Sequence, residues 1–361
     1  MACHCKLDGL RGVLARAMPY HKNFMSPSAP QSAPEKIMRY MWGYAPPLIL
    51  EAAVRNGVFD ALSGGPKTVA ETSAATGASE RGLAAIMNAL VGLEFLTRDE
   101  AGRFALTPES ATYLVSTNPA YLGGMLAHTS KQLMPGWLEL EEIVRTGRPY
   151  TAVNQQGEGS PFFEQFVGAL FAMNYASAVA AAEALGVATA SEAVSVLDLA
   201  AGSGVFGIAI AQRSERVTVT AVDWPKVLEV TRRTVDRFGL GDRFRYVAGD
   251  LDAADFGKGH NVATLGHILH SEGEERGRKL LGKIYDAMAP GGTVVIAEFL
   301  VDADRRGPLS GLLFGVNMLV HTDKGGTYSF DEIRGWLEEC GFRDARTVAA
   351  PGPSPLIFAT R

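Results

Sequence analysis

The stretch Asp198-Leu199-Ala200-Ala201-Gly202-Ser203-Gly204-Val205-Phe206-Gly207 follows an apolar run that opens at Val194. Gly202, Gly204 and Gly207 satisfy G-x-G-x-x-G. That spacing sets a tight turn between a strand and a helix whose first N–H groups face a ligand. By itself the pattern usually marks a dinucleotide loop, with a turn that holds no ligand as the lesser reading. Asp198 bears on the choice. A carboxylate four residues before the first glycine repels a pyrophosphate but favours a cation. S-adenosylmethionine (SAM) carries an ammonium and a sulfonium and no phosphate, so Asp198 favours it over NAD. Asp223 stands about 20 residues after the loop, at the end of a second apolar run, where an acid accepts hydrogen bonds from ribose hydroxyls. Gly249-Asp250-Leu251-Asp252 follows a third run. An acid there can accept from an adenine amine, with Leu251 covering the ring.

These residues need strands that end together and helices that pack between them. Strands are expected over Val194–Leu199, Val217–Val222, Phe244–Val247, Val262–Leu265 and Thr293–Phe299, with Ala345–Val348 and Leu356–Thr360 closing the chain. Helices are expected over Gly207–Arg213, Lys226–Phe238, Glu274–Met288 and Phe330–Glu339. Strand–helix alternation implies a mainly parallel sheet covered on both faces. Upstream the texture differs. Residues 35–62 are helical in pattern. Thr68 opens a short helix, Ser79 caps a second, and Phe95–Thr97 and Arg103–Leu106 read as a hairpin, so the unit resembles a winged helix. Its second helix offers one cation, Arg81, too few for reading DNA. Residues from about 120 to 185 are again helical, with breaks at Met134-Pro135-Gly136 and Thr146-Gly147-Arg148-Pro149. The Ala-rich stretch Ala172–Leu185 reads as a long connecting helix.

A length of 361 residues suggests more than one domain. A net charge of −5 provides no basic field for nucleic acid or anionic lipid. Three cysteines make no disulfide framework and fit a reducing cytoplasm. Cys3-His4-Cys5 is half a metal site at most, since zinc takes four ligands. No run of about 18 apolar residues is visible, so no membrane span is expected. A Ser/Pro/Ala-rich linker follows Met25, which is the expected true start.

Together, Leu197–Gly204, Val222-Asp223-Trp224-Pro225-Lys226-Val227, Ala248-Gly249-Asp250 and Ala289-Pro290-Gly291-Gly292 resemble class I SAM-dependent methyltransferases. The Asp-x-Pro-x-Val element and the upstream winged helix narrow the resemblance to O-methyltransferases of the caffeate/hydroxyindole type. It implies an α/β fold: a Rossmann-like seven-stranded methyltransferase domain preceded by a mainly helical dimerisation domain. The organisation it implies is a tail over 1–34, a dimerisation domain over 35–118, a connector over 119–190 and the SAM domain over 191–361. It also implies a homodimer, SAM as cofactor with no metal, and methyl transfer to a hydroxyl of a small aromatic acceptor.

In that family a histidine in a Leu-His-Asp-Trp pattern is the base. Here the stretch reads Leu269-His270-Ser271-Glu272, which assigns His270, with His267 as the alternative. Glu298 matches one of two carboxylates that steady the histidine in plant relatives. Thr327 stands where the second would be. Cofactor contacts carried over are Asp198, Gly202, Gly204, Asp223, Trp224, Gly249, Asp250, Leu251 and Ser177. The acceptor pocket falls to Met173, Asn174, Asn317, Met318 and His321. The other readings are C- or N-methylation or a non-methylating activity on the same scaffold, an NAD(P)-dependent oxidoreductase, and a SAM-sensing DNA-binding regulator.

Overall fold

The computed structural model describes residues 34–352 and 354–361. Cys3-His4-Cys5, Met25 and nearly all of the expected tail lie outside them. The described residues 34–44 belong to a different unit from Ala45–Arg361. They contain α1 (Glu35–Met41), which buries no residue.

The helical pattern of residues 35–62 is interrupted twice. After the turn at 42–44 come α2 (Ala45–Arg55) and α3 (Val58–Leu62), separated by Gly57 at φ 67°. Next are α4 (Val69–Thr76) and α5 (Glu80–Gly92). Thr68 and Glu71 form a capping box on α4, and Ser79 caps α5 by accepting from the N–H of Gly82. The hairpin pairs β1 (Leu96–Arg98) with β2 (Phe104–Leu106). Leu83, Met87 and Leu90 of α5 sit in a core with Phe59, Leu62, Leu96 and Phe104. The helix–helix–hairpin expectation holds, and the apolar face of α5 is covered by that core.

Between the hairpin and the sheet lie α6 (Pro108–Tyr113) and then, over the expected connector, α7 (Gly123–His128), a π-helical turn (Thr129–Leu133), α8 (Met134–Leu138), α9 (Leu140–Thr146) and α10 (Gln156–Ala184). The break expected at Pro135 is absent, because the proline occupies the first turn of α8, where no N–H is needed. The break at Gly147 is real: it is left-handed, φ 67°, and caps α9. Helix α10 is twice as long as its Ala-rich half suggested and holds Pro161 inside its start. Its Phe166–Ala184 segment is long and apolar enough to span a membrane by length and composition, which the sequence reading overlooked. Ala178, Ala181 and Ala182 of that segment pack in the core with α11 and the sheet.

The remainder alternates as foreseen: β3 (Val194–Leu199), α11 (Val205–Ala211), β4 (Val217–Asp223), α12 (Pro225–Arg237), β5 (Phe244–Ala248), β6 (His260–Gly266), α13 (Leu269–Glu272), α14 (Glu274–Ala287), β7 (Met288–Ala297), α15 (Leu309–His321), α16 (Phe330–Glu339), β8 (Arg343–Val348) and β9 (Leu356–Thr360). Helix α15 was not foreseen. The seven-stranded sheet runs β5-β4-β3-β6-β7-β9-β8. Strands β3 to β7 are parallel, and β9 is antiparallel to both its neighbours. The order reverses at β3: β4 and β5 lie on one side, β6 and β7 on the other. Loops after β3 and β6 therefore diverge and open a crevice at the carboxyl ends of the strands. Apolar cores cover both faces.

Candidate active site

A cleft of about 340 Å³ occupies that crevice, within the range of small-molecule sites. Its first wall is the loop after β3. Gly202 adopts φ 56°, and a Cβ there would come within 2.9 Å of the Val167 side chain on α10. Gly204, at φ 77°, leads into α11 and abuts Thr231 of α12. Gly202 lines the cleft; Gly204 shapes the turn from behind.

Asp198 reaches the cleft but both its oxygens are engaged. Thr264 Oγ1 donates to one at 2.6 Å and the Gly207 N–H to the other at 3.1 Å. The carboxylate thus ties β3 to β6 and to α11. Burial pushes its pKa from 3.8 to about 7. Asp223 ends β4 and accepts from the N–H groups of Gly202 and Trp224 at 2.8 and 2.7 Å. Burial raises it to about 6.

Gly249, Asp250 and Leu251 follow β5 and, with Trp224, complete this end of the cleft. Arg276 of α14 donates to Asp250 at 2.5 Å and stands 2.9 Å from Glu272 and 3.0 Å from Asp252. Glu272 is also raised by burial, to about 7 despite that arginine. Neither Glu272 nor Arg276 was assigned to the site from sequence. The i, i+4 spacing of the pair was the available signal.

A buried histidine–carboxylate pair sits at the other end. His270 lies on α13, and its Nδ1 is 2.6 Å from Glu298 Oε1. Glu298 follows β7 with no solvent exposure and accepts also from the N–H groups of His270 (3.1 Å) and Phe299 (2.9 Å). It stands behind the histidine and does not line the cleft. Burial alone would raise its pKa, but His270 and the other donors outweigh that and hold it below the ordinary range. With a carboxylate on Nδ1, the neutral ring carries its proton there, leaving the Nε2 lone pair free.

Among the described residues His270's ring has that one hydrogen-bond partner. Thr327 is off the cleft, beside Gly315 of α15. Its loop touches the main chain of His270, where the carbonyl accepts from the Gly326 N–H at 2.8 Å. His267 also lines the cleft, in the left-handed conformation with φ 61°. Its Nδ1 is buried without a partner, and burial lowers its pKa to about 4. His267, His270 and Glu298 each bring one potential ligand atom within 4.8 Å of the others.

The remaining wall is apolar and aromatic. Phe299 and Phe314 stack at 4.0 Å, with the ring of His270 edge-on to Phe314 at 4.8 Å. Met173 and Asn174 enter from α10, and Asn317, Met318 and His321 from α15. Asn317 Oδ1 accepts from Trp137 Nε1 at 3.0 Å. The structure also brings in Met125, His128, Phe162 and Phe166, which the sequence did not reveal. Ser177, expected near the cofactor, is instead buried on α10 away from the cleft lining, its hydroxyl without a partner.

Comparison with known proteins decides the family. The family model described as the O-methyltransferase domain matches residues 137–343, more than half of the chain, and the O-methyltransferase dimerisation domain matches 38–116. The chain belongs to the O-methyltransferase family. This O-methyltransferase is 32% identical to the 3-hydroxy-5-methyl-1-naphthoate 3-O-methyltransferase of Streptomyces sahachiroi, over 86% of the chain and 91% of that protein. It is 28% identical to the tetracenomycin polyketide synthesis 8-O-methyl transferase of Streptomyces glaucescens, over 93% of the chain and 99% of that protein. Among solved structures it resembles human N-acetylserotonin methyltransferase in complex with SAM, with a TM-score of 0.77, 26% identity, and coverage of 93% of this chain and 99% of that one.

The O-methyltransferase uses SAM, and its cleft chemistry agrees. Asp198, Asp223, Asp250 and Glu272 line the cleft, while Arg276 is the one arginine or lysine among the described lining residues and is committed to three carboxylates. Such a cleft suits a cation and offers nothing to a pyrophosphate. The dinucleotide reading of the glycine loop is set aside on both grounds.

Proposed function

We propose that this enzyme methylates a hydroxyl of a flat aromatic acceptor, with His270 as the general base and Glu298 as its positioning residue. The observation carrying this reading is the free Nε2 of a carboxylate-held histidine set beside the stacked Phe299 and Phe314. A ring slotted there presents its hydroxyl to Nε2. The two relatives named for naphthoate and tetracenomycin chemistry support an aromatic acceptor.

SAM, when bound, supplies an electrophilic methyl group carried on a sulfonium. Asp223 would hold the ribose hydroxyls and Asp250 the adenine amine. Leu251 and Trp224 would flank the ring, and the Gly202 and Gly249 turns let the backbone approach. Asp198 acts through the loop and by its charge. His270 takes the acceptor's hydroxyl proton as the oxygen becomes a nucleophile. Glu298 stabilises the imidazolium so formed. The apolar wall excludes water and fixes the angle of approach. His267, with its lowered pKa and unpartnered Nδ1, is the weaker base and serves as packing against Phe299.

The test is incubation with SAM and a panel of phenols, read by product mass and by the NMR shift of the new methyl. An O-linked methyl on a phenol is expected. Binding of SAM with no transfer to any phenol would overturn the acceptor class.

The finer organisation follows the same reading: a dimerisation domain over 35–118, a connector over 119–190, the SAM domain over 191–361, and a cytoplasmic homodimer. Ile37, Met41 and Trp42 expose between 62% and 67% of their surface, an apolar strip in need of a partner. Light scattering showing a monomer at micromolar concentration would sink the homodimer.

A further inference from the structure

Two histidines at the far end of the acceptor pocket have no part in the scheme above. His128 of α7 stacks on Phe166 with ring centroids 3.8 Å apart. Its Nδ1 is 2.6 Å from Gln132 Oε1. Gln132 Nε2 donates to the Phe162 carbonyl at 3.2 Å, which fixes the amide's orientation. The oxygen therefore faces His128, so Nδ1 carries the proton and Nε2 is a bare acceptor. His321, at the end of α15, is 1% exposed, and neither ring nitrogen has a hydrogen-bond partner. A neutral imidazole offers one donor and one acceptor. Burial lowers the pKa of both rings, that of His321 to about 4 with His128 adding to the effect. Both rings line the cleft beside Phe162, with centroids 5.3 Å (His128) and 6.2 Å (His321) from that ring, and both are neutral.

An unpaired buried imidazole is costly unless a ligand completes it. The chemistry left over is one acceptor on His128 and one donor and one acceptor on His321. A hydroxyl fits: it donates to one ring and accepts from the other. A carboxylate does not. It would meet the lone pair of His128, and Arg276, the one arginine among the described lining residues, is spent on Asp250, Asp252 and Glu272.

Helix α15 also supplies a length. Phe314, against His270, and His321 are seven residues apart on one face, with Asn317 and Met318 between them. At about 1.5 Å per residue that is roughly 10 Å. A hydrogen bond of about 3 Å at each end supplies part of that length, and the acceptor's two oxygens supply the rest.

We propose that the acceptor is a polyphenol whose second, uncharged hydroxyl is held between His128 and His321 while the first faces His270. The proposal rests on His270 marking the reacting end.

The experiment is calorimetric titration of the S-adenosylhomocysteine-saturated enzyme with 2,6-dihydroxynaphthalene, 2-naphthol and 6-hydroxy-2-naphthoate. The diol is expected to bind about 10-fold tighter than the naphthol and tighter still than the carboxylate. His321→Phe and His128→Phe, which keep an aromatic ring, should each bring the diol-to-naphthol ratio close to one, with unchanged S-adenosylhomocysteine affinity reporting an intact fold. Equal binding of the three probes, preference for the carboxylate, no binding of any, or a ratio kept in both variants overturns the proposal. The wild-type comparison stands even if a variant misfolds. Separately, a diol that binds well but is not methylated when SAM replaces the homocysteine product overturns the reading of His270 and leaves the distal site standing.

Discussion

Glu298 Oε1 lies 2.6 Å from Nδ1 of His270, and the same carboxylate accepts the main-chain N–H groups of His270 and Phe299. Three donors converge on a group with no solvent exposure. The carboxylate is thereby kept charged, and the imidazole is held in one tautomer with its basic nitrogen toward the cleft.

Removing the base and removing its partner should therefore differ. His270→Ala is expected to lower kcat by about 10²- to 10⁴-fold, the usual share of a general base. SAM affinity should stay at the wild-type value in calorimetry. Glu298→Gln keeps the shape and loses the charge. We expect kcat to fall about 10- to 100-fold with little change in acceptor KM. Nitrogen-15 NMR of the His270 ring should pass from one tautomer to a mixture. A lowered kcat with the tautomer unmoved would mean that Glu298 contributes packing alone.

Asp223→Asn removes a charged acceptor from the end of β4 while retaining most of its shape. Hydrogen bonds to charged groups contribute about 1.5–3 kcal/mol, so SAM should bind roughly 10- to 100-fold more weakly. At saturating SAM, kcat should be largely kept, because Asp223 stands away from the reacting end. An unchanged SAM dissociation constant would remove Asp223 from the cofactor site.

Three cleft acids have raised pKa values: Asp198 at about 7, Asp223 at about 6 and Glu272 at about 7. Between about pH 4 and pH 7 the SAM-free native state holds protons that the unfolded chain has released. Its stability from these groups is present at low pH and is lost as pH rises through 6 to 7. The cationic cofactor reverses the preference, since it favours the ionised acids. SAM affinity should therefore rise from pH 5.5 to pH 8 with release of protons, and the melting-temperature gain on adding SAM should be larger at pH 8. Calorimetry in buffers of different ionisation enthalpy measures the proton count directly. Tighter binding at pH 5.5 would contradict it.

The strand–helix alternation after Val194, the glycine loop and the two following acids were all legible, because each depends on residues close together in sequence. Periodicity found the β-strands to within a few residues. It did not find α15, whose Gly311 and Gly315 interrupt a short apolar run that reads equally as a strand. Pro135 was read as a break because sequence alone does not say whether a proline begins a helix or ends one. Ser177 was placed at the cofactor by resemblance, and the rotation of α10 turned it into the core.

The sequence by itself determined the glycine turn after β3 and the parallel sheet, since turns, caps and alternating burial are written within a few residues, and resemblance singled out His270, which the structure sets on the cleft. Resemblance, not local spacing, named Glu298 as the residue behind that histidine; its geometry, and what lies across the pocket, only the tertiary structure decided. Glu298 reaches His270 because β6 and β7 are neighbours in the sheet, although 28 residues separate the two side chains. His128 and His321 share a pocket because α7 and α15 converge on α10. Such groupings arise from packing between elements distant in the chain, where no local hydrogen bond or spacing announces them, and burial then sets their charge.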